Sequence, residues 1–258
     1  MSYALITGAS KGIGKALAEQ LAAQKYNLLL VARSEDLLRE QTTQMRNLHG
    51  IHAEYLALDL TSPSASSSIA NWIEQNNFPV NILINNAGYG MWGKFHELSL
   101  EAQNDMINVN VLTLLNLTHR LIPLLQKQEK SYILNVGSTA HAQAVPTLNA
   151  YSASKAFVTN FTRALRHELK NTPISVTLLT PGSTNTNFVQ QANMKHMEQV
   201  AEKFSMTPEK VATIALSALF SGKAEVIPGV MNKLSVASTR IFPKSWIEKT
   251  AGNIYKKK

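Results

Sequence analysis

Three side chains near the middle of the sequence have the types and spacing of an acid/base site. Tyr151 and Lys155 lie four residues apart in the segment Tyr-Ser-Ala-Ser-Lys, and Ser138 precedes Tyr151 by thirteen residues. Residues at i and i+4 share one face of a helix, so the Lys155 ammonium can lie beside the Tyr151 phenol and favour its ionised form. The pair therefore predicts a proton donor and acceptor. The alternative is an ordinary exposed pair on a helix, which is what an isolated pair of this spacing more often is.

A glycine-rich segment stands at the beginning of the chain, Thr7-Gly8-Ala9-Ser10-Lys11-Gly12-Ile13-Gly14. Its glycines have the spacing GxxxGxG, and it follows the first predicted strand and begins the first predicted helix. Glycine allows a tight turn and a close approach of the backbone to a pyrophosphate, which a helix N-terminus binds. The segment predicts a dinucleotide-binding loop, with a glycine-rich turn that holds no ligand as the alternative.

The end of the second predicted strand indicates which dinucleotide this loop would hold. Enzymes that use NAD place an acidic residue there for the ribose 2′-hydroxyl, whereas a 2′-phosphate requires positive charge. This chain has Arg33 at that point, while Glu35 and Asp36 come later, at a predicted helix start where acidic side chains complement the helix dipole. Arg33 and Lys11 can clamp a 2′-phosphate, so NADP(H) is the predicted cofactor. Two solvated surface cations are the alternative.

Short apolar stretches alternate with stretches of helical spacing along the whole chain. The predicted strands are residues 3–7, 27–32, 53–58, 80–85, 132–136, 174–180 and 225–227. Continuous apolar strands suit a parallel sheet that is covered on both faces. We therefore predict an α/β fold of the Rossmann type, doubly wound, with a seven-stranded parallel sheet and helices on both faces. Ser62-Pro63 and Thr207-Pro208 each place a capping hydroxyl before a proline and predict two helix starts.

Length and composition set the expected class of protein. A chain of 258 residues with 45% hydrophobic content can bury one sizeable core, so residues 1–258 are expected to form a single dinucleotide-binding and catalytic domain. The absence of cysteine excludes disulfides and thiolate metal chemistry. The scattered histidines predict no metal site. The N-terminus has no signal-like segment and no run approaches the roughly 18 apolar residues of a spanning helix, so a cytoplasmic protein is expected.

The net charge of +8 is unevenly distributed along the chain. Residues 223–258 hold eight Lys and Arg side chains and two acidic ones, a net charge of +6, so the rest of the chain is nearly neutral. No RNA-binding aromatic motif or zinc-finger spacing accompanies the basic tail. Nucleic acid is therefore not an expected partner.

The order and spacing of these motifs resemble the short-chain dehydrogenases/reductases over roughly residues 3–190. By this resemblance the catalytic residues are Asn110, Ser138, Tyr151 and Lys155. The cofactor-binding residues are Gly8, Ser10, Lys11, Gly12, Ile13, Gly14, Asp59, Leu60, Asn86, Ala87, Gly88, Tyr151, Lys155, Pro181, Gly182, Thr184 and Thr186. Two departures are small: Gly137 replaces a common serine, and Thr184 takes a position that is often Val or Ile. Neither removes a reacting group.

The resemblance also implies a role for each catalytic residue. Tyr151 would donate the proton that the carbonyl oxygen needs when its carbon receives hydride from NADPH. Ser138 would hydrogen-bond the same oxygen, and Lys155 would hold the nicotinamide ribose and make the phenol more acidic. Asn110 would position a water that links Lys155 to solvent. His141 is expected to be a wall of the substrate pocket rather than a catalyst.

The substrate is defined only as a class. Residues 187–206 are expected to close over it, and their Phe and Met side chains suit an apolar or acyl carbonyl compound, although packing on a neighbouring helix would explain the same pattern. Tyr89, Met91, Trp92 and Phe95 could form the apolar side of the cleft or a packing cluster. An NADPH-dependent reductase of a ketone or aldehyde is the predicted function. A non-catalytic NADP-binding sensor or scaffold is the alternative.

The basic tail, residues 231–258, mixes apolar and cationic side chains. Three arrangements are open: packing on a neighbouring subunit, weak contact with an anionic membrane surface, and a cap over the substrate cleft. The resemblance further implies a homodimer or homotetramer that pairs through two long helices, near residues 102–125 and 151–170, which carry apolar side chains on more than one face.

Overall fold

A sheet of seven parallel strands forms the centre of the molecule. The computed structural model describes residues 2–186, 188, 192, 194 and 205–254. The strands are β1 Tyr3–Thr7, β2 Asn27–Ala32, β3 Ala53–Ala57, β4 Val80–Asn85, β5 Ser131–Val136, β6 Ile174–Leu179 and β7 Glu225–Val226. Their order is β3-β2-β1-β4-β5-β6-β7, and every pair is parallel. The predicted fold class is confirmed, with strand ends that differ from the prediction by at most one residue.

Helices connect the strands and continue past the last one. They are α1 Gly12–Ala23, α2 Glu35–His49, α3 Ala65–Gln75, α4 Leu100–Ile107, α5 Leu114–Leu125, α6 Asn149–Glu168, α7 Pro208–Phe220, α8 Val230–Ser238 and α9 Lys244–Ile254. A π-helical segment, Asn108–Thr113, joins α4 to α5, and 3₁₀ turns occur at Phe95–Glu97 and Thr139–Ala142. None of the helices in the described part of the chain is long and apolar enough to cross a membrane.

The two helix starts predicted from Ser-Pro and Thr-Pro pairs have different outcomes. Thr207 caps α7, because its hydroxyl oxygen accepts a hydrogen bond from the Lys210 backbone N–H at 3.4 Å and Pro208 is the first helical residue, as predicted. The prediction at Ser62-Pro63 is wrong by two residues, since α3 begins at Ala65. Ser62 instead accepts from the Ser64 backbone N–H at 3.4 Å within the preceding turn.

Side chains of the central strands point alternately to the two faces of the sheet, and this divides the buried residues between two cores. Leu28 and Leu30 of β2 pack into the core that α1 covers, whereas Leu29 and Val31 pack into the core on the opposite face. Successive side chains of a strand point to opposite faces, so a strand that is apolar throughout needs helices on both sides. Full burial of one such side chain contributes about 1.5–3 kcal/mol, which keeps the strands in register under the site.

The direction of the strand order reverses between β1 and β4, which places a crevice at the carboxyl ends of these strands. Side-chain hydrogen bonds hold the two loops at this point. The Asn86 amide donates to the carbonyl oxygens of Thr7 and Gly8 at 2.9 and 3.1 Å, and the Thr7 hydroxyl accepts from the backbone N–H of Asn86 at 3.1 Å. The loop after β4 therefore fixes the loop after β1, which carries the glycines.

Candidate active site

A cleft of about 940 Å³ opens at this crevice. It is lined by most of the residues that the sequence analysis assigned to the site, namely Gly8, Ser10, Lys11, Gly12, Ile13, Arg33, Asp59, Leu60, Asn86, Ala87, Gly88, Ser138, Tyr151, Lys155, Pro181, Gly182, Thr184 and Thr186. Gly14 and Asn110 lie behind this lining and contact residues that form it. No group of three or more His, Cys, Asp or Glu residues within the described ranges could hold a metal ion.

The glycine loop has the shape that a pyrophosphate cradle requires. Gly8 and Gly12 have φ angles of 65° and 56°, in the left-handed region that favours glycine. A Cβ atom on Gly8 would lie 2.9 Å from the Ala87 Cα, and one on Gly14 would collide with the Gly8 carbonyl oxygen. Gly12 and Ile13 of the first turn of α1 line the cleft, and among the described residues no side-chain acceptor is recorded for their backbone N–H groups. This cradle fits the diphosphate of a dinucleotide.

Charged side chains at the adenosine end of the cleft are arranged around Arg33. Arg33 and Lys11 both line the cleft, and no ion pair involves either of them among the described residues. Glu35 does not face the cleft, because its carboxylate accepts from Arg39 at 2.6 Å. Asp59 lines the cleft, and its carboxylate accepts from the backbone N–H of Thr61 at 3.0 Å. The tip of β2 therefore presents a cation rather than a carboxylate.

Tyr151 and Lys155 lie on the first turns of α6, and both are buried in the wall of the cleft. Their exposed fractions are 8% and 4%. The Lys155 ammonium lies 5.9 Å from the centre of the Tyr151 ring and donates a hydrogen bond to the backbone oxygen of Val136, at the end of β5, at 2.9 Å. Burial disfavours the charged ammonium and lowers the pKa of Lys155 to about 8. The lysine is still mostly protonated at neutral pH.

The loop after β5 positions Ser138 at the entrance of a 3₁₀ turn. Backbone N–H groups on both sides of Ser138 hold the loop, since Gly137 donates to Leu179 and Thr139 donates to Pro181. The Ser138 hydroxyl oxygen accepts from the backbone N–H of Ala140 at 3.2 Å. Its hydrogen can therefore be donated into the cleft. The sequence predicted His141 to be a wall of this pocket, but its side chain is outside the cleft lining and its Nδ1 lies 2.6 Å from the Ser138 carbonyl oxygen.

Asn110 occupies the middle of the π-helical segment between α4 and α5 and is buried. Its amide donates to the Tyr89 carbonyl oxygen and to the Ser154 hydroxyl, each at 3.0 Å, and its oxygen accepts from the Tyr89 N–H at 3.1 Å. A π turn often marks a functional site because it aims one side chain out of the regular helical pattern. Tyr89 and Ser154 were not predicted as partners of Asn110, since nothing in the periodicity of the sequence indicates a π turn.

The far end of the cleft carries many apolar side chains beside the polar Gln143, Ser235, Ser238, Thr239 and Thr250. Its lining includes Val145, Leu148, Phe188, Met194, Val236, Phe242, Trp246, Ile247 and Ala251. The Phe188 ring lies 5.3 Å from the Tyr151 ring, so this apolar end adjoins the acid/base pair. Tyr89 also lines the cleft, whereas Met91 and Trp92 pack in the cluster behind it and Phe95 is exposed.

The two segments predicted as a lid and a tail border the same end. Most of the expected lid, residues 187–206, lies outside the described residues, but a bridge joins Met206 at its end to Thr184, which precedes the segment. Within the tail, α8 and α9 line the cleft, as the cap arrangement requires. Gly252 of α9 faces Pro146 of the loop after Ser138, and Asn232 of α8 packs closely on Gly182. The position of the tail could not be predicted from the sequence, because contacts between residues so distant along the chain leave no local pattern.

Comparison with known proteins agrees with this geometry. A sequence model described as short chain dehydrogenase matches residues 2–197. The chain is 32% identical over 233 residues to the hydroxysteroid dehydrogenase-like protein 1 of Gallus gallus, which covers 88% of this chain and 67% of that protein. It is 33% identical over 190 residues to the very-long-chain 3-oxoacyl-CoA reductase of Laccaria bicolor, covering 73% of this chain and 55% of the fungal protein, about half of that relative's length.

A solved structure of a short-chain dehydrogenase has the same fold as this chain. The short-chain dehydrogenase from Sphingobium yanoikuyae in complex with NADPH is 28% identical, with a TM-score of 0.83 over 93% of this chain and 95% of the other. The matched region of the family includes the glycine loop, Ser138 and the Tyr151–Lys155 pair, and it spans most of the sequence. This chain therefore belongs to the short-chain dehydrogenase family.

Proposed function

We propose that this protein is an NADPH-dependent reductase of a ketone carried on an apolar body, or the dehydrogenase of the corresponding alcohol. The observation that carries this assignment is the common cleft of Tyr151, Ser138 and Lys155 with the glycine loop. A protein that only sensed or bound the dinucleotide would need the loop, but it would not need a buried phenol and a serine hydroxyl at the nicotinamide end. An apolar cleft wall beside them makes an enzyme the better account.

The chain's own residues would supply the proton chemistry. A bound nicotinamide supplies the hydride that reaches the carbonyl carbon. As the carbonyl π bond breaks, the oxygen takes the Tyr151 hydroxyl proton, and the product is the alcohol. The Ser138 hydroxyl, whose oxygen is engaged by Ala140, would donate to the same oxygen and stabilise its developing charge. The phenolate then recovers a proton from solvent, so no other reactant is consumed.

Lys155 would act in two ways. One hydrogen of its ammonium is engaged by the Val136 oxygen, which leaves two for ribose hydroxyls of the dinucleotide. Its positive charge beside the Tyr151 ring stabilises the phenolate that remains after proton donation. Asn110 would be a positioning residue, because its amide holds the Ser154 hydroxyl one residue before Lys155. The water link from Lys155 to solvent through Asn110 stays a prediction.

The substrate class follows from the apolar end of the cleft. The apolar side chains of this end favour a steroid-like or long acyl body, whose carbon skeleton they would cover, and the hydroxyl and amide side chains beside them could bind a few polar groups on it. The names of the chicken and fungal relatives refer to substrates of these two kinds. A carbonyl group at one end of such a body would reach Tyr151 while the rest lies between Phe188 and α9.

Replacement of Tyr151 by Phe tests the catalytic assignment. Tyr151→Phe removes one oxygen and should lower turnover by about 10²–10⁴-fold, the usual contribution of a general acid. The dissociation constant of NADPH should stay nearly the same, because the ring and Lys155 remain. Absorbance at 340 nm against a panel of steroid-like and 3-oxoacyl ketones measures turnover, and fluorescence titration measures binding of NADPH.

Tyr132→Phe is the matched control for this substitution. Tyr132 has the same exposed fraction as Tyr151, 8%, but it does not line the cleft, so its variant should retain full turnover. Wild-type activity in Tyr151→Phe would refute the acid/base role. Binding of NADPH by the wild type without turnover of any ketone in the panel would favour a sensor or scaffold.

Replacement of Arg33 by Ala tests the choice of cofactor. A charge-assisted hydrogen bond to a 2′-phosphate contributes about 1.5–3 kcal/mol, so Arg33→Ala should raise the KM for NADPH by about 10–100-fold and leave that for NADH nearly unchanged. Arg120→Ala is the control, because Arg120 is exposed on α5 and away from the cleft lining. A wild type that prefers NADH, or an equal effect on both cofactors, would contradict the assignment.

A further inference from the structure

The outer side of α8, of α9 and of the loop between them is unusually apolar for an exposed surface. Large apolar side chains there are between 54% and 77% exposed, namely Val230, Met231, Leu234, Ile241, Phe242 and Trp246. Elsewhere in the described residues such side chains are fewer: Leu48, Phe95, Leu100, Leu112 and Phe157. Six such side chains between residues 230 and 246 are a concentration of exposed apolar surface that favours an interaction site over ordinary surface.

Cations are interspersed with these apolar side chains. Lys233, Arg240, Lys244 and Lys249 are all exposed, and no ion pair in the described part of the chain engages any of them. Glu248 is the acidic side chain of this stretch. Residues 223–258 account for +6 of the net charge of +8. We call the six apolar side chains and these four cations the C-terminal surface.

The inner side of the same helices belongs to the cleft. Val236 of α8 and Ile247 and Ala251 of α9 line it, and Phe242 and Trp246 both line it and are more than half exposed. Phe242 and Trp246 therefore belong both to the cleft and to the C-terminal surface. An apolar compound that entered there would pass from this surface to Tyr151 along an apolar wall.

We propose that the C-terminal surface binds an anionic lipid bilayer, and that the cleft takes its apolar ketone from that bilayer. Uptake of the ketone from the bilayer rests on the proposed function, whereas binding of the bilayer does not. Apolar side chains that include a tryptophan, with lysines and arginine around them, have the composition of a surface that lies at the headgroup boundary. The long lysine stems can lie along acyl chains while their ammonium groups contact acidic headgroups.

A second copy of this chain fits the C-terminal surface less well than a bilayer does. A two-fold interface brings the same patch of both subunits together, so four cations would face four cations with only Glu248 to offset them. Like charges in a desolvated interface repel strongly. An anionic bilayer can bind both kinds of side chain at once, since its acyl chains bury the apolar side chains and its acidic headgroups pair with the cations.

Co-sedimentation with lipid vesicles tests the proposal. The wild type should bind vesicles of phosphatidylcholine with phosphatidylserine, should bind pure phosphatidylcholine much less, and should lose binding as salt is raised. Lys233→Gln/Lys244→Gln/Lys249→Gln should weaken binding by roughly tenfold or more. Its control is Lys127→Gln/Lys170→Gln, which removes exposed lysines of other surfaces and should leave binding unchanged.

A second set of variants tests the apolar side chains. Met231→Ser/Leu234→Ser/Ile241→Ser changes residues outside the cleft lining and should also reduce vesicle binding about tenfold or more, whereas the control Leu48→Ser/Phe95→Ser should not. With a steroid-like ketone held in vesicles, both C-terminal variants should turn over more slowly than the wild type. With a water-soluble ketone, they should match it.

The outcomes separate this proposal from the proposed function. Equal binding of the wild type to neutral and anionic vesicles, or unchanged binding in both C-terminal variants, would overturn it. A change of molar mass of these variants in light scattering would also overturn it and would identify the surface as a protein interface. Tyr151→Phe should bind vesicles like the wild type. If the wild type binds anionic vesicles but turns over no ketone of the panel, the surface assignment stands and the reductase assignment fails.

Discussion

Lys155 carries a positive charge at a point where the surrounding protein disfavours it. It is 4% exposed and forms one hydrogen bond in the described structure, to the Val136 oxygen, and burial lowers its pKa to about 8. No carboxylate among the described residues forms an ion pair with it. Such an arrangement costs stability in the free protein and is useful only if a ligand supplies partners, as ribose hydroxyls would.

The cost can be measured from the pH dependence of stability. Between about pH 8 and pH 10.5 the unfolded chain binds more protons at Lys155 than the folded one, so this residue makes stability rise with pH across that window. Below about pH 8 the full penalty applies, on the order of 3 kcal/mol. Lys155→Met removes it and loses a hydrogen bond of about 1 kcal/mol, so it should be about 2 kcal/mol more stable at neutral pH.

Urea unfolding of Lys155→Met and the wild type at several pH values provides the measurement. The difference in unfolding free energy should be largest near neutrality and should fall as pH rises through 8 toward 10.5. Lys170→Met, at an exposed lysine, should show no such trend. A Lys155→Met variant that is less stable than the wild type at neutral pH would show that the buried charge is already compensated.

Sequence spacing was sufficient to bring the reacting groups together and insufficient to give their partners. The four-residue interval of Tyr151 and Lys155 predicts one helical face, and both side chains line one cleft. The bond from Lys155 to Val136 joins a helix to the end of a strand, so no local pattern indicates it. His141 was misplaced for a similar reason: in the 3₁₀ turn after Ser138 its Nδ1 contacts the Ser138 carbonyl oxygen, and the residue does not line the cleft.

At the scale of elements, strands were easier to predict than helix boundaries. Buried parallel strands are apolar throughout, so their limits are visible in the sequence to within a residue. The predicted start of α3 was wrong, because the hydroxyl of Ser62 can stabilise a turn before the helix as readily as the helix itself. The π-helical segment between α4 and α5 was missed, since one extra residue per turn barely changes the apolar pattern.

The contact of α1 with the glycine loop gives a prediction at this scale. Gly14 is in the first turn of α1, and a Cβ there would collide with the Gly8 carbonyl oxygen and the Asn86 amide, which hydrogen bonds hold in place. Gly14→Ala should therefore displace the loop, lower the free energy of unfolding by about 1–3 kcal/mol and weaken NADPH binding. Urea unfolding and NADPH titration measure the two effects.

Gly50→Ala separates this collision from the general cost of losing a glycine. Gly50 ends α2 with a φ of 62°, and a methyl group added there would have no atom within 4 Å, so alanine costs only backbone strain, about 1–2 kcal/mol. Its NADPH affinity should equal that of the wild type. Equal NADPH affinities in the Gly14 and Gly50 variants would mean that the loop does not depend on close packing against α1.

At the scale of the whole molecule, two apolar surfaces of the described ranges lie apart from the sheet's cores. One is the C-terminal surface, which the sequence identified as basic and apolar without indicating what it contacts. The other includes Leu112 and Phe157, which are 44% and 38% exposed on the π-helical segment and α6. These two elements pack against one another. The family resemblance assigns subunit pairing to this region, and its apolar exposure supports that assignment.

A charge placed on this second surface tests the assembly. The Phe157 ring stacks on Phe161 at 5.9 Å, which fixes it as a flat apolar contact on α6. We predict that the wild type is a dimer or tetramer and that Phe157→Arg is a monomer in light scattering, because each two-fold contact would bury two unpaired guanidinium groups. Ile241→Arg, in the C-terminal surface, should retain the wild-type mass. If Phe157→Arg keeps that mass while Ile241→Arg loses it, subunits pair through the C-terminal surface instead.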